Sequence, residues 1–72
     1  LSVSSLNMFT DITEFECEVK IRYKSPKTPA KVTIKDGIAN VELYEPQFAV
    51  AKGQAAVFYN GSKVLGGGYI TS

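Results

Sequence analysis

Glu16-Cys17-Glu18-Val19-Lys20-Ile21-Arg22-Tyr23 alternates charged and apolar side chains without a break. In an extended chain, successive side chains point to opposite faces. Cys17, Val19, Ile21 and Tyr23 therefore share one face, and Glu16, Glu18, Lys20 and Arg22 share the other. A period of two with one apolar and one charged side marks a half-buried β-strand, here expected over residues 15–23.

Working outward, Lys24-Ser25-Pro26-Lys27-Thr28-Pro29 ends this strand, because neither proline can donate to a sheet ladder. Alternation resumes with Ala30, Val32 and Ile34 inward and Lys31, Thr33 and Lys35 outward. Asp36-Gly37 is a strong hairpin signal, since both residues tolerate the positive φ of a type I′ turn. The return strand covers residues 38–44, with Ala39, Val41 and Leu43 on one face, and Glu45-Pro46-Gln47 stops it. Phe48-Ala49-Val50-Ala51 is apolar but short, and Lys52-Gly53 closes it as a turn. Residues 54–59 make the next strand, Asn60-Gly61 the next turn and residues 63–70 the last strand. Residues 1–9 supply one more strand, weakened by Ser4-Ser5 and Asn7. No stretch has helical spacing over a useful length. The expected fold is all-β: a small antiparallel β-barrel of five to six strands, closed or partly open. Closure is favoured because a sheet this small would otherwise leave long unpaired edges.

The chain has 72 residues, enough for one domain covering residues 1–72. A domain of this size buries only about 60% of the surface of its unfolded chain, so its stability is expected to be marginal. At 44% hydrophobic and 11% aromatic, the composition is that of a folded protein and not of a disordered segment. No apolar run approaches the roughly 20 residues of a membrane span, so no membrane partner is expected. Leu1 in place of a methionine points to a longer parent polypeptide. Cys17 is the only cysteine and histidine is absent, which leaves no internal disulfide and no ordinary zinc ligand set. A reducing, cytoplasmic setting is the simplest expectation.

The same inventory argues against catalysis by this chain. Cys17 has no histidine to activate it and lies in phase with Val19 and Ile21, so a buried, inert thiol is expected. Glu16 and Glu18 share a face, but Lys20 and Arg22 beside them favour ionised, solvated carboxylates over an acid–base pair. Gly66-Gly67-Gly68 lacks the spacing, the Lys-Ser/Thr ending and the following helix of a phosphate loop. Glycines in a strand instead permit a bulge, a sharp bend or the close approach of another backbone or ligand. The feature with functional pull is charge order. Asp11, Glu14, Glu16 and Glu18 come first; Lys20, Arg22, Lys24, Lys27, Lys31 and Lys35 then follow with no acid between them. If the two strands pair, Lys20, Arg22, Lys31 and Lys35 are expected to cluster, with Lys24 and Lys27 on the connecting loop, as a phosphate-binding patch with salt-sensitive affinity. The alternative is a solvated face partly neutralised by Glu16, Glu18 and Glu42, and spacing alone does not separate the two.

Three passages are more specific: Cys17-Glu18-Val19-Lys20-Ile21-Arg22-Tyr23; Glu45-Pro46-Gln47-Phe48-Ala49-Val50-Ala51-Lys52-Gly53-Gln54-Ala55-Ala56-Val57-Phe58-Tyr59; and Val64-Leu65-Gly66-Gly67-Gly68-Tyr69-Ile70. In this order and spacing they resemble the C-terminal end of tRNA-specific 2-thiouridylases. The resemblance implies a C-terminal β-barrel similar to the second domain of elongation factor Tu, within an enzyme that uses ATP to activate the wobble uridine. A cysteine persulfide of that enzyme then delivers sulfur to carbon 2 of the base. The family's ATP motif and both catalytic cysteines have no counterpart here, and Cys17 matches a barrel position. No cofactor is therefore expected in this domain, ATP being used by the full-length enzyme.

Two roles follow. In the first, the barrel helps bind or position tRNA, with Lys20, Arg22, Lys24, Lys27, Lys31 and Lys35 as candidate phosphate contacts. In the second, Phe48, Gly66, Gly67 and Gly68 form a docking surface for the catalytic domain of the same protein or for a sulfur-carrier partner.

Overall fold

The computed structural model describes residues 1–21, 26–45 and 52–71 of the chain. Among these residues six strands follow in order: β1 (Ser2–Met8), β2 (Glu14–Lys20), β3 (Thr28–Lys35), β4 (Ile38–Leu43), β5 (Ala55–Asn60) and β6 (Lys63–Ile70). They form one closed antiparallel barrel in the order β1-β4-β3-β2-β5-β6, so every strand has two neighbours. The expected all-β barrel is thus present, and of the two expected forms it is the closed one. β1 is the closing strand, pairing with β4 on one side and β6 on the other. No helix among the described residues is long and apolar enough to cross a membrane.

Alternation places the core as the sequence predicts. Cys17 and Val19 of β2, Ala30 and Val32 of β3, and Ala39 and Val41 of β4 all point inward, joined by Val3, Ala56, Phe58 and Ile70. A barrel of so few strands has a narrow interior that side chains must fill. Among the described residues Phe58 is the largest fully buried side chain, and Ala30, Ala39 and Ala56 are small residues buried with it. The Phe15 ring meets Phe58 edge-on at 6.4 Å between centroids.

Two hairpin turns carry positive φ. Asp36 (54°) and Gly37 (77°) give the type I′ turn expected between β3 and β4. The next turn falls one residue later than Asn60-Gly61. Asn60 still pairs with Lys63, so Gly61 and Ser62 are the central residues. Gly61 has φ 63° and no positive φ occurs at Ser62, the type II′ pattern.

Two bulges reset the side-chain phase. β1 carries an extra residue between Ser4 and Asn7, with Ser5 at φ 54°. β6 carries one near Leu65, where pairing steps from Phe58↔Gly66 to Tyr59↔Val64. These irregularities are what Ser4-Ser5 and the glycines allow. The strand is not lost; it kinks and continues.

Candidate nucleic-acid interface and glycine groove

The β2–β3 register decides what becomes of the basic stretch. Val19 faces Thr28 and Glu16 faces Lys31. One further step brings Lys20 level with Lys27, while Lys35 lies eight residues along β3, about 26 Å away at roughly 3.3 Å per residue. Antiparallel pairing therefore brings Lys20 and Lys27 to one end and sends Lys35 to the other. It does not gather Lys20, Lys31 and Lys35 into one patch. Arg22 and Lys24 lie outside the described residues.

Lys31 sits among acids. It faces Glu16 of β2 and Glu42 of β4 across the sheet, and its Nζ is 3.3 Å from Glu14 Oε1. Both partners of that ion pair are solvent-exposed, so the pair itself is worth at most about 1 kcal/mol. Its consequence is local charge: one lysine among three carboxylates does not present a positive surface to a phosphate. On the same wall the Tyr44 hydroxyl donates to Glu16 Oε1 at 3.0 Å. Partial desolvation and then this hydrogen bond push the Tyr44 phenol above its ordinary value.

At the opposite end, Lys27 Nζ donates to the Gly61 carbonyl oxygen at 2.8 Å and lies 4.3 Å from the centre of the Tyr59 ring. It thus ties the start of β3 to the β5–β6 turn. Lys63 follows that turn directly, and Lys20 faces Val57 of β5. Lys20, Lys27 and Lys63 accordingly border the β5 side of the barrel.

Cys17 is buried beneath the sheet. Burial first, and the neighbouring Glu18 carboxylate second, raise its thiol to a pKa of about 11. Such a thiol stays protonated at neutral pH and is a poor nucleophile. Among the described residues, no three His, Cys, Asp or Glu side chains gather to hold a metal ion.

The three glycines of β6 stand where its neighbours come closest. A methyl group built on Gly67 would strike the Ala56 carbonyl oxygen, and one on Gly68 the Ser4 carbonyl oxygen. Gly66 alone has a φ that other residues avoid, 146°, and a methyl there would lie 2.6 Å from the Asn7 carbonyl oxygen. These glycines also floor an open groove of about 290 Å³ on the outside of the barrel. Ser5 and Asn7 of β1, Phe9 just beyond it, Ala55 and Val57 of β5, and Val64 and Tyr69 of β6 form its walls. Phe9 is 67% exposed and Tyr69 55%. The candidate docking glycines thus share a groove, whereas Phe48 lies outside the described residues.

Comparison with known proteins fits this geometry. The aminomethyltransferase beta-barrel domain family matches residues 1–70. The chain belongs to that family. The domain is also similar to proteins named tRNA-specific 2-thiouridylase MnmA. It is 57% identical to the one from a Nitratiruptor species over 65 residues, 90% of this chain and 19% of the relative. It is 54% identical to MnmA 1 of Aliarcobacter butzleri over 96% of this chain and 20% of the relative. It is 46% identical to MnmA of Campylobacter jejuni over 94% of the chain and 20% of the relative. The resemblance read from the sequence holds across the whole barrel. The chain spans about a fifth of the length of these curated relatives.

Sequence reasoning missed Phe9, Tyr69 and Val64 as groove walls. Tyr69 was within reach of it, being out of phase with buried Ile70. Phe9 was not: strict alternation from Val3 would bury it, and only the bulge at Ser5 turns it outward.

Proposed function

We propose that this domain is the non-catalytic C-terminal barrel of a cytoplasmic tRNA-specific 2-thiouridylase. In this reading it helps bind or position tRNA while other domains of the longer, ATP-dependent protein thiolate the wobble uridine. The observation that carries the reading is identity of 57% and 54% to 2-thiouridylases over nearly the whole barrel. Within that frame, the end of the barrel bearing Lys20 and Lys27 is the phosphate-contacting side. Lys31, held among Glu14, Glu16 and Glu42, is not.

The test is tRNA binding by the chain across a salt series. Salt-sensitive binding is expected, and each phosphate-contacting lysine replaced by alanine at Lys20 or Lys27 lowers the salt slope by about one. Lys31→Ala leaves the slope unchanged. Absence of binding at low salt, or identical slopes for all three variants, refutes the assignment.

One observation favours a second role. The outer face of β5, β6 and β1 around the groove carries Ala55, Val57, Gly67, Tyr69, Ser4 and Asn7, with no charge among them. Charge depletion with exposed aromatics is also the composition of a protein–protein interface core. On that reading the groove docks the catalytic domain or a sulfur-carrier partner.

A further inference from the structure

We propose that the groove floored by residues 66–68 holds one unstacked base of single-stranded RNA, stacked against Phe9 or Tyr69. The inference rests on the tRNA-contacting reading above and assigns it a site that the basic strand pair does not contain.

Size comes first. Pockets for drug-sized ligands run from roughly 300 Å³ upward. A groove of about 290 Å³ with one open side suits a single flat group better than a larger molecule. The surfaces offered are those a base uses. Two half-open aromatic rings, Phe9 and Tyr69, provide π-faces, and a floor of glycine backbone lets a flat ring approach without meeting a side chain. Ser5 and Asn7 put a hydroxyl and a carboxamide in the lining, where donors and acceptors can meet a base edge. Unpaired bases splayed onto aromatic side chains are the usual mode of single-strand recognition.

Charge then favours a nucleic acid over an apolar protein segment. The lining has no ionisable group except the Tyr69 phenol, but lysines stand beside it along the β5 side and at the β5–β6 turn. Lys20 faces Val57 of the groove wall, and Lys63 immediately precedes Val64. Uncharged, aromatic walls with cations along the β5 edge match a base with its adjoining phosphate.

The barrel closes on itself and draws its core from all six strands, so the chain can be tested as it stands. Isotope-labelled chain is titrated with single-stranded oligouridylate and oligoadenylate hexamers, and separately with an A-form duplex, while backbone amide resonances are followed. Shifts at Ser5, Asn7, Gly67 and Gly68 are expected with the single strands and not with the duplex. Whichever of Tyr69→Leu and Phe9→Leu removes the stacking ring should weaken single-strand binding by roughly 5- to 150-fold, the range for loss of one base stack. Tyr69→Phe should retain it. Binding by both leucine variants at wild-type strength overturns the proposal, as do shifts confined to residues away from the groove. If tRNA binds while the groove resonances stay still, the base site fails and the tRNA role stands. If no RNA binds at all, both fail. Groove amides that respond only to the rest of the longer polypeptide overturn the base site in favour of docking.

Discussion

Replacing Gly68 by alanine isolates the close approach of β1 and β6. The backbone at Gly68 is ordinary, so any cost is steric. The added methyl would overlap the Ser4 carbonyl oxygen and lie 2.8 Å from Val3 Cγ1 and 3.1 Å from Leu6 Cδ2. Leu6 can rotate away. Ser4 cannot, because its position is fixed between the Val3↔Ile70 pair and the bulge at Ser5. Relief therefore requires β1 to move off β6 at the seam that closes the barrel. Overpacking of this kind costs about 1–3 kcal/mol, and a clash with backbone belongs at the upper end. A domain of this size has roughly 4–11 kcal/mol in total. At about 4–8 °C per kcal/mol, the midpoint of thermal unfolding should fall by roughly 8–24 °C. Circular dichroism melts measure this directly. Gly37→Ala is the control: nothing lies within 4 Å of its methyl, and only its φ of +77° is strained, at about 1–2 kcal/mol. A Gly68→Ala chain melting within about 2 °C of wild type would refute the reasoning, since it would mean that the seam has slack.

Two further outcomes concern the core and its thiol. Phe58→Ala empties the centre of the barrel and should cost about 3–5 kcal/mol, enough to abolish or blunt the cooperative melt, while Phe9→Ala on the exposed groove wall should stay within about 0.5 kcal/mol of wild type. For Cys17 the folded pKa lies above the ordinary value of 9.0, at about 11. Its stabilising contribution is then full below pH 9 and is lost as pH rises toward 11, because the unfolded chain releases its proton first. Discounted for screening by nearby solvent, the loss is on the order of 1–2 kcal/mol, and Cys17→Ser urea titrations between pH 8 and 11 should show a flatter pH dependence than wild type.

Most of the fold was legible because β2, β3 and β4 pair without interruption. In a regular ladder a residue's parity fixes its face, so Cys17, Val19, Ala30, Val32, Ala39 and Val41 could be assigned from alternation alone. Parity fails where a residue is inserted. After Ser5 the inward set in β1 switches from Val3 to Leu6 and Met8, and Phe9 emerges on the surface. The lysines illustrate a different limit. Alternation told which face each one takes, but not that antiparallel register would set Lys31 against Glu16 and carry Lys35 to the far turn. Register is a property of two segments, and neither segment alone contains it.

The glycine strand serves packing and surface through the same missing atoms. Without side chains at 66–68, the neighbouring backbones of β1 and β5 can close on β6, and at Gly67, which pairs with Val57 on the outer face, the floor of the groove is left bare. Substitution at these positions therefore cannot separate a structural role from a ligand-binding one. Gly67→Val, for instance, drives its side chain into the Ala56 carbonyl and would lose folding and binding together. Discrimination has to come from the walls. Phe9 and Tyr69 are exposed, so replacing them takes little from the core, yet they supply the aromatic faces that a base would need. A loss of RNA affinity at those two positions with unchanged melting would have no structural explanation.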